Sequence, residues 1–275
     1  MNAVENKKEY QGLLPGSTLK MIAVITMLID HIGASVVERG LAAYGQFTEA
    51  VQTKLPGLYF QWIQNFQFLY NLDFYVLRLI GRISFPIYCF FIAEGYLHTK
   101  NKWKYALRLA IFAVISEIPF DLAFGGSVCT FAMQNVFFTL LFGVVTIATF
   151  EWLEGGAGGR VSPAVSKILP WVSLALFYVI AEVTNIDYGG FGVVVIWGLY
   201  QVRCRLKGQS WKKQMQMTSL FGAVCFLWEI TAPIGFVLTF LYNGKRGRSL
   251  KYFFYIFYPA HLLLLGLFCG WLGLP

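Results

Sequence analysis

The fold is decided by the stretch LKMIAVITMLIDHIGASVV, which runs from Leu19 to Val37. It is strongly apolar, and its length approaches the roughly 20 residues that a helix needs to cross the hydrocarbon core of a bilayer. Asp30 and His31 lie side by side within it. Ionisable side chains at membrane depth cost roughly 2.5–3.5 kcal/mol each, so they usually face a cavity or a partner. The stretch therefore predicts a membrane helix that carries functional residues.

The rest of the chain has the same character. Its 275 residues are 57% hydrophobic and only 13% charged, whereas an average soluble domain has about 25% charged residues. Five scattered cysteines form no CxxC pair, so we predict no metal site. The composition predicts an all-α, polytopic helical bundle made of a single membrane domain, residues 1–275. We expect about nine spans: 19–37, 75–97, 104–124, 134–153, 168–184, 190–206, 215–229, 231–243 and 252–273.

The net charge of +8 comes from basic residues whose distribution follows the predicted order of the spans. Basic residues crowd into alternate connections, and the other connections hold only Arg39 and Lys54. Because basic loops face the cytoplasm, we predict a cytoplasmic N-terminus and no nucleic-acid partner. Fusing 215–243 into one helix would place two basic loops on opposite sides, so we keep two short spans there. The external loop 38–74 contains an aromatic segment, 58–72, which we expect to be a helix lying in the membrane interface.

His31 is the candidate catalytic residue. Lys20 precedes it by eleven residues, which is about three turns plus 20° of helix, so the two share one face about 16 Å apart. A neutral imidazole can take a proton from an incoming nucleophile. Asp30 points about 100° away, and we expect it either to act with His31 or to bind an arginine on another helix. A structural His–Asp pair that only joins helices is the alternative.

Other polar residues at membrane depth are candidates for substrate binding: Glu94, His98, Glu117, Asp121, Asp187 and His261. Glu94 and His98 lie one turn apart, and we expect a hydrogen-bonded pair there. Asp187 precedes a glycine-rich external turn, which favours close backbone approach.

Glu117 and Asp121 lie at the outer end of the third span. They are predicted either to form ion pairs with Arg78 and Arg82 or to bind an ammonium group.

A glycine-bracketed basic loop follows the eighth span, with Lys245, Arg246 and Arg248. Such a loop suits phosphate groups, although it also anchors a cytoplasmic end, and it lacks the Walker spacing of a P-loop. We assign these three residues, with Lys20 and Arg82, to the binding of an anionic ligand.

Several blocks together resemble one family: LKMIAVITMLIDHIG, GRISFPIYCFFIAEGYLHTKN, YALRLAIFAVISEIPFDLAF, NVFFTLLFG, DYGGFGV and YNGKRG with YFFYIFYPAHLL, spread from residue 19 to about residue 265. The chain resembles the TraX family of integral membrane acetyltransferases, named for the enzyme that acetylates the N-terminus of F-type conjugative pilin. It is also similar to the wider group of transmembrane acyltransferases, in which ten residues separate an arginine from an essential histidine that follows it. Lys20 and His31 occupy those places, and the lysine keeps the charge but lacks the bidentate fork.

The resemblance implies a membrane acetyltransferase in the bacterial cytoplasmic membrane, with acetyl-CoA as donor and His31 as general base. The acceptor it suggests is a pilin or peptide N-terminus, and a small amine or a sugar stays open. The alternative is a proton-coupled transporter or channel lined by buried histidine and acidic residues. A pilus-assembly component without catalysis is a third reading. The basic cytoplasmic rim and the lack of an internal repeat favour the enzyme.

Overall fold

The computed structural model of the protein describes residues 12–42, 57, 65–128, 130 and 132–274. The described residues form helices joined by turns, with two isolated bridges, Leu14–Tyr242 and Gln134–Ile186, and no strand. This confirms the predicted all-α class.

The helices are α1 (Gly16–Ile32), α2 (Glu38–Ala42), α3 (Phe66–Leu72), α4 (Arg78–Gly81), α5 (Ser84–His98), α6 (Lys102–Phe124), α7 (Val136–Glu154), α8 (Val165–Val183), α9 (Gly189–Arg205), α10 (Trp211–Cys225), α11 (Ala232–Phe240) and α12 (Lys251–Leu272). A π-helical turn, Gly33–Val37, joins α1 to α2, and another, Asp73–Leu77, joins α3 to α4. Within the described part of the chain, five stretches are long and apolar enough to cross a membrane: Gly16–Ala42, Phe66–His98, Val136–Glu154, Val165–Val183 and Tyr252–Leu272.

Each predicted span overlaps a helix, and the first two are longer than predicted. The first continues to Ala42, and the second begins at Phe66. Both extensions fall in the predicted external loop 38–74, of which residues 43–56 and 58–64 lie outside the described residues. Of the predicted interfacial segment 58–72, the described part includes α3, which has no buried residue. The interfacial position of that segment stays a prediction.

The two short predicted spans form a hairpin. α10 has 15 residues and α11 has 9, which gives lengths of about 22 and 14 Å. The turn between them includes Phe226 and Thr231, and the two helices pack together with Ser219 Oγ 3.0 Å from Thr239 Oγ1. Residues 215–243 are therefore two helices and not one.

α5 lies at the centre of the bundle. It packs against α1, α9 and α11, and side chains on all its sides are buried, among them Phe85, Ile87 and Phe90. A helix that is apolar all round is expected to be enclosed by others. α6 packs mainly on α12, and α7 packs on α8 and α9.

One end of the bundle, which we call the basic end, gathers the start of α1, the residues around His98 and the loop 241–250. Gly16 N donates to Lys245 O at 2.8 Å, and Ser17 N donates to Arg246 O at 2.9 Å. Gly247 has a φ of 72° and faces Ser17 so closely that a Cβ atom would collide with it. The glycine thus permits the basic loop to close on the start of α1.

At the opposite end, the buried Arg39 holds the termini of other helices. Its guanidinium donates to Leu122 O at 2.9 Å, to Ala123 O at 3.0 Å and to Leu274 O at 2.9 Å. These bonds satisfy carbonyl groups that a helix end leaves without an internal partner.

Candidate functional site

His31 and His261 form a hydrogen-bonded pair between α1 and α12. The Nδ1 atom of His31 lies 2.7 Å from Nε2 of His261. The two rings are nearly parallel, with an interplanar angle of 5° and centroids 5.0 Å apart. The structure thus brings together two histidines that stand 230 residues apart in the chain.

The bonds around the pair determine where the protons lie. His261 Nδ1 is 2.7 Å from the carbonyl oxygen of Phe257, and a carbonyl can only accept, so Nδ1 carries the proton. In a neutral ring, His261 Nε2 is then an acceptor and His31 Nδ1 donates to it. The remaining nitrogen, His31 Nε2, is then unprotonated, and its lone pair can accept a proton.

The pair is held by aromatic and helical contacts. Phe124 and Tyr258 approach the His31 ring edge-on, with centroids 5.3 and 5.9 Å away. Ser35 Oγ donates to the carbonyl of His31 at 2.5 Å, within the π-helical turn. His31 is half-buried, and these contacts hold its ring in place.

Asp30 faces a different partner. Arg78 Nη1 lies 2.8 Å from Asp30 Oδ1, and Arg78 Nε lies 3.0 Å from Glu38 Oε1. A Cβ atom at Gly81 would collide with the Asp30 side chain, so the glycine lets α4 approach α1. The expectation that Asp30 binds an arginine on another helix is confirmed.

Further charges surround this ion pair at the end opposite the basic end. Arg82 Nη1 lies 3.7 Å from Glu229 Oε1, and it also interacts with the Tyr188 hydroxyl. Asp73 is buried beside Glu38. At the turn before α9, desolvation and the nearby charge of Asp30 raise the pKa of Asp187 to about 7.

A cavity of about 400 Å³ opens at the basic end and runs towards His31, which does not itself line it. Its opening is lined by four cations, Lys20, Arg108, Arg246 and Arg248. Its lining also includes apolar and aromatic side chains from α1, α5, α6, α7 and α12. Among these are Met27, one turn before His31, and Tyr258, which contacts the His31 ring. The cavity thus connects the cations with the surroundings of His31.

The predicted anion-binding residues divide between this cavity and other places. Lys20, Arg246 and Arg248 line it, whereas Lys245 and Arg82 do not. Arg108 lines it and was not predicted. The signal was present in the sequence, because Arg108 is an arginine inside the third predicted span, where a charge is costly.

Glu94 and His98 form the predicted pair near the basic end, and His98 also lines the cavity. His98 Nε2 lies 3.0 Å from Glu94 Oε1. Glu94 is buried and is also held by Arg203, whose Nη2 lies 3.0 Å from Glu94 Oε2. Arg203 was not predicted as a partner of this pair.

Glu117 and Asp121 hold the connection between α6 and α7. Asp121 accepts from Thr130 N and from Thr130 Oγ1, both at 2.9 Å. Glu117 accepts from the side-chain amide of Asn135. The ion pairs with Arg78 and Arg82 that we considered for these carboxylates are not formed, because those arginines bind Asp30, Glu38 and Glu229. Within the described residues, no group of three or more His, Cys, Asp or Glu side chains could hold a metal ion.

Comparison with known proteins places the chain in a family. A sequence model described as TraX protein matches residues 15–269. The chain is 28% identical, over 269 residues, to the probable fimbrial assembly protein FimC, serogroup H1, of Dichelobacter nodosus, covering 90% of this chain and 92% of that one. It is also 28% identical over 151 residues to the uncharacterized protein RP591 of Rickettsia prowazekii (strain Madrid E), covering 55% of this chain and 42% of that one. No solved structure matches the chain. With most of its length matched and with several helices long enough to cross a bilayer, the chain is a membrane protein of the TraX family.

Proposed function

We propose that the protein is an acyltransferase that moves an acetyl group from acetyl-CoA to an amine or hydroxyl acceptor. The observation that supports this most is the cavity of about 400 Å³, which leads from a cluster of cations to the neighbourhood of His31. A basic opening suits the phosphate groups of an anionic donor. A largely apolar interior suits a slender thioester arm.

In this proposal, Lys20, Arg108, Arg246 and Arg248 bind the phosphate groups of the donor. The arginines can each offer two parallel N–H groups to a phosphate, which Lys20 cannot. Lys245, in the same loop but outside the cavity lining, adds to the attractive field.

The orientation follows from the donor. Acetyl-CoA is made in the cytoplasm, so we place the basic end and the N-terminus on the cytoplasmic side of the bacterial inner membrane. The excess of basic residues at that end agrees with the positive-inside rule. The whole chain, with about nine spans, would then form a single membrane domain.

His31 Nε2 is the proposed general base. The acceptor attacks as a neutral amine or hydroxyl, so an ammonium group first releases one proton to the solvent. As the acceptor nitrogen or oxygen then forms its bond to the thioester carbonyl carbon, a proton passes from it to Nε2. The carbon–sulfur bond then breaks, and the CoA thiolate leaves and takes up that proton. General-base catalysis of this kind is worth roughly 10²–10⁴-fold. His261 keeps the His31 ring in the required tautomer, as the orienting partner of a catalytic histidine does in hydrolase triads.

A route through acetyl-histidine uses the same nitrogen. There, Nε2 attacks the thioester itself, CoA leaves, and the acceptor then takes the acetyl group from the ring. Labelled acetyl-CoA added without an acceptor distinguishes the routes, since only this second route leaves label on the protein.

The acceptor is proposed to arrive from the end opposite the basic end. Five carboxylates, those of Asp30, Glu38, Asp73, Asp187 and Glu229, lie there around two guanidiniums, those of Arg78 and Arg82. This excess of carboxylates favours a cationic acceptor such as an amine over a neutral sugar. The family resemblance suggests the N-terminus of a pilin as the acceptor, and the relative from Dichelobacter nodosus is named as a probable fimbrial assembly protein.

A proton-coupled transporter is the alternative. Its path would have to join Glu94 and His98 at the basic end to Asp30 and His31. The opening of the cavity at that end is lined by Lys20, Arg108, Arg246 and Arg248, and these positive charges repel a proton and favour an anionic ligand. We therefore prefer the enzyme.

Thermal unfolding of the purified protein with acetyl-CoA or with candidate solutes tests the proposal. A ligand at 100 times its Kd stabilises the folded state by about 2.7 kcal/mol, so acetyl-CoA should raise the midpoint. The double variant Arg246→Gln, Arg248→Gln should lose most of this shift. The matched variant Lys212→Gln, Lys213→Gln, with two exposed cations replaced near the same end, should keep it. Stabilisation by an ion or solute without any response to acetyl-CoA would favour the transporter.

A further inference from the structure

A second cavity, of about 450 Å³, lies between α7, α8 and α9 at the basic end. Its lining shares no residue with the cavity that leads to His31. One wall is aromatic. Phe150, Trp171 and Trp197 form a triangle in which the ring centroids are 5.5 Å, 5.6 Å and 5.0 Å apart.

The remaining wall is polar and mostly composed of hydrogen-bond donors. Lys167, Arg205 and Gln201 can donate to a ligand, whereas the Ser166 hydroxyl already donates to Pro163 O at 3.1 Å, and Glu154 is the one carboxylate in the lining. The Nε1 atom of Trp197 is buried and has no hydrogen-bond partner among the described residues. A buried N–H without an acceptor is costly. The cavity thus combines a net positive charge with a surplus of donors.

The cavity lies at the end of a candidate membrane span. α8 is a candidate span, and Lys167, Pro170 and Trp171 belong to its first turns. The ends of a span are where lipid headgroups meet the hydrocarbon core. Trp171 is 53% exposed although it lines the cavity, and Ile168 and Val172 beside it are also exposed. The cavity therefore borders the surface that faces lipid.

We propose that this cavity binds one anionic phospholipid. Its phosphodiester lies between Lys167 and Arg205, and its acyl chains follow the apolar outer face of α8. The Trp197 ring, which lines the cavity, turns on binding so that its buried Nε1 donates to the phosphodiester. Basic pockets between membrane helices hold anionic headgroups in this way. A free phosphate would leave the aromatic wall without a role. The site does not depend on the proposed acetyl transfer.

Native mass spectrometry of the delipidated protein tests the site, with dioleoyl phosphatidylglycerol, phosphatidylethanolamine and phosphatidylcholine as probes. One phosphatidylglycerol should bind the wild-type protein most tightly. The double variant Lys167→Gln, Arg205→Gln should weaken that binding on the order of tenfold, because it removes two charge-assisted contacts. Trp197→Phe keeps an aromatic ring and removes the N–H, and it should weaken binding severalfold.

The matched control is Arg160→Gln, Lys207→Gln, which replaces two exposed cations outside the cavity and changes the net charge equally. It should bind phosphatidylglycerol as the wild-type protein does. An equal loss in both double variants would show surface attraction only and overturn the proposal. Equal binding of the three lipids by the wild-type protein would also overturn it. If the cavity double variant fails to fold, unchanged phosphatidylglycerol binding by folded Trp197→Phe overturns the proposal on its own.

Discussion

The imidazole of His31 has one nitrogen bound to His261 and one nitrogen left to react. That division comes from a chain of two hydrogen bonds that ends on the Phe257 carbonyl, with both bonds at 2.7 Å. The tautomer of His31 is thereby determined by α12, a helix near the other end of the chain. The proposed role of His261 is accordingly to position the base, without contact with the reacting atoms.

His261→Phe should lower kcat for acetyl transfer on the order of 100-fold and leave KM for acetyl-CoA nearly unchanged. The phenyl ring fills the space but cannot accept from His31 Nδ1. His261→Gln should recover part of the rate, because its amide can accept from His31 and donate to Phe257. Steady-state kinetics on both purified variants measure this. Equal loss in the two variants, with lower thermal stability in both, would mean that His261 only packs the bundle.

Asp187 should make stability depend on pH. Its pKa in the folded protein is about 7, against an ordinary value of 3.8, so between these values the folded state holds a proton that the unfolded state has lost. The contribution of Asp187 to the free energy of unfolding should therefore fall as the pH rises from about 3.8 to about 7, and it should stay constant at higher pH. The thermal midpoint of wild-type protein minus that of Asp187→Asn should be larger at pH 5 than at pH 8. Parallel midpoint curves for the two proteins would contradict this.

Residue patterns predicted some of these contacts and missed others. The helical angle between Asp30 and His31 correctly separated them, and an arginine partner for Asp30 was predicted. The pairing of His31 with His261 could not be predicted, since it depends on how α1 and α12 pack. Nor could the i,i+4 pair Glu94 and His98 reveal Arg203, which comes from a distant helix.

Among the helices, α5 shows most clearly how local sequence leads to position. Its run SFPIYCFFIAEGYLH has apolar residues on every side, and the structure encloses it. Most helix positions were predictable to within a few residues because apolar length and flanking charges determine them, but the second span begins at Phe66, nine residues before its predicted start. The π-helical turns at Gly33–Val37 and Asp73–Leu77, which contact each other, were not predicted.

Close helix packing at Gly143 gives a prediction at this scale. A Cβ atom there would lie 2.7 Å from Ile196 of α9, whereas one at Gly270 of α12 would meet nothing within 4 Å. Gly143→Ala should destabilise the protein by about 1–3 kcal/mol through overpacking. Gly270→Ala, the same change in the same kind of backbone, should be neutral or slightly stabilising. Thermal midpoints in detergent compare them, and equal midpoints would contradict the close packing.

Over the whole molecule, charge is divided between two ends. The basic end carries the opening of the cavity, and the opposite end carries Asp30, Arg78 and their neighbours. The distribution of basic residues was readable from the chain because it follows the predicted spans. The cavity itself was not, since side chains from five helices form it.

Cysteine labelling tests the proposed orientation. Ser249 is exposed at the basic end, and Ser127 is exposed in the connection between α6 and α7. With the five native cysteines replaced, a membrane-impermeant maleimide should label Ser127→Cys in intact cells. It should label Ser249→Cys only after the cells are opened. The reverse pattern would place the basic end outside and remove the route for a cytoplasmic donor.

The most direct test of the proposed acetyl transfer is mass spectrometry of peptides, envelope glycans and small molecules from cells that carry the wild-type protein, His31→Ala or neither. We predict that one acceptor gains a single acetyl group with the wild-type protein alone. His31→Ala should be inserted in the membrane in equal amount and leave the acceptor unmodified. Acetylation that persists in His31→Ala, or no acetylated acceptor with the wild-type protein, would contradict the assignment of His31 as the base of an acetyltransferase.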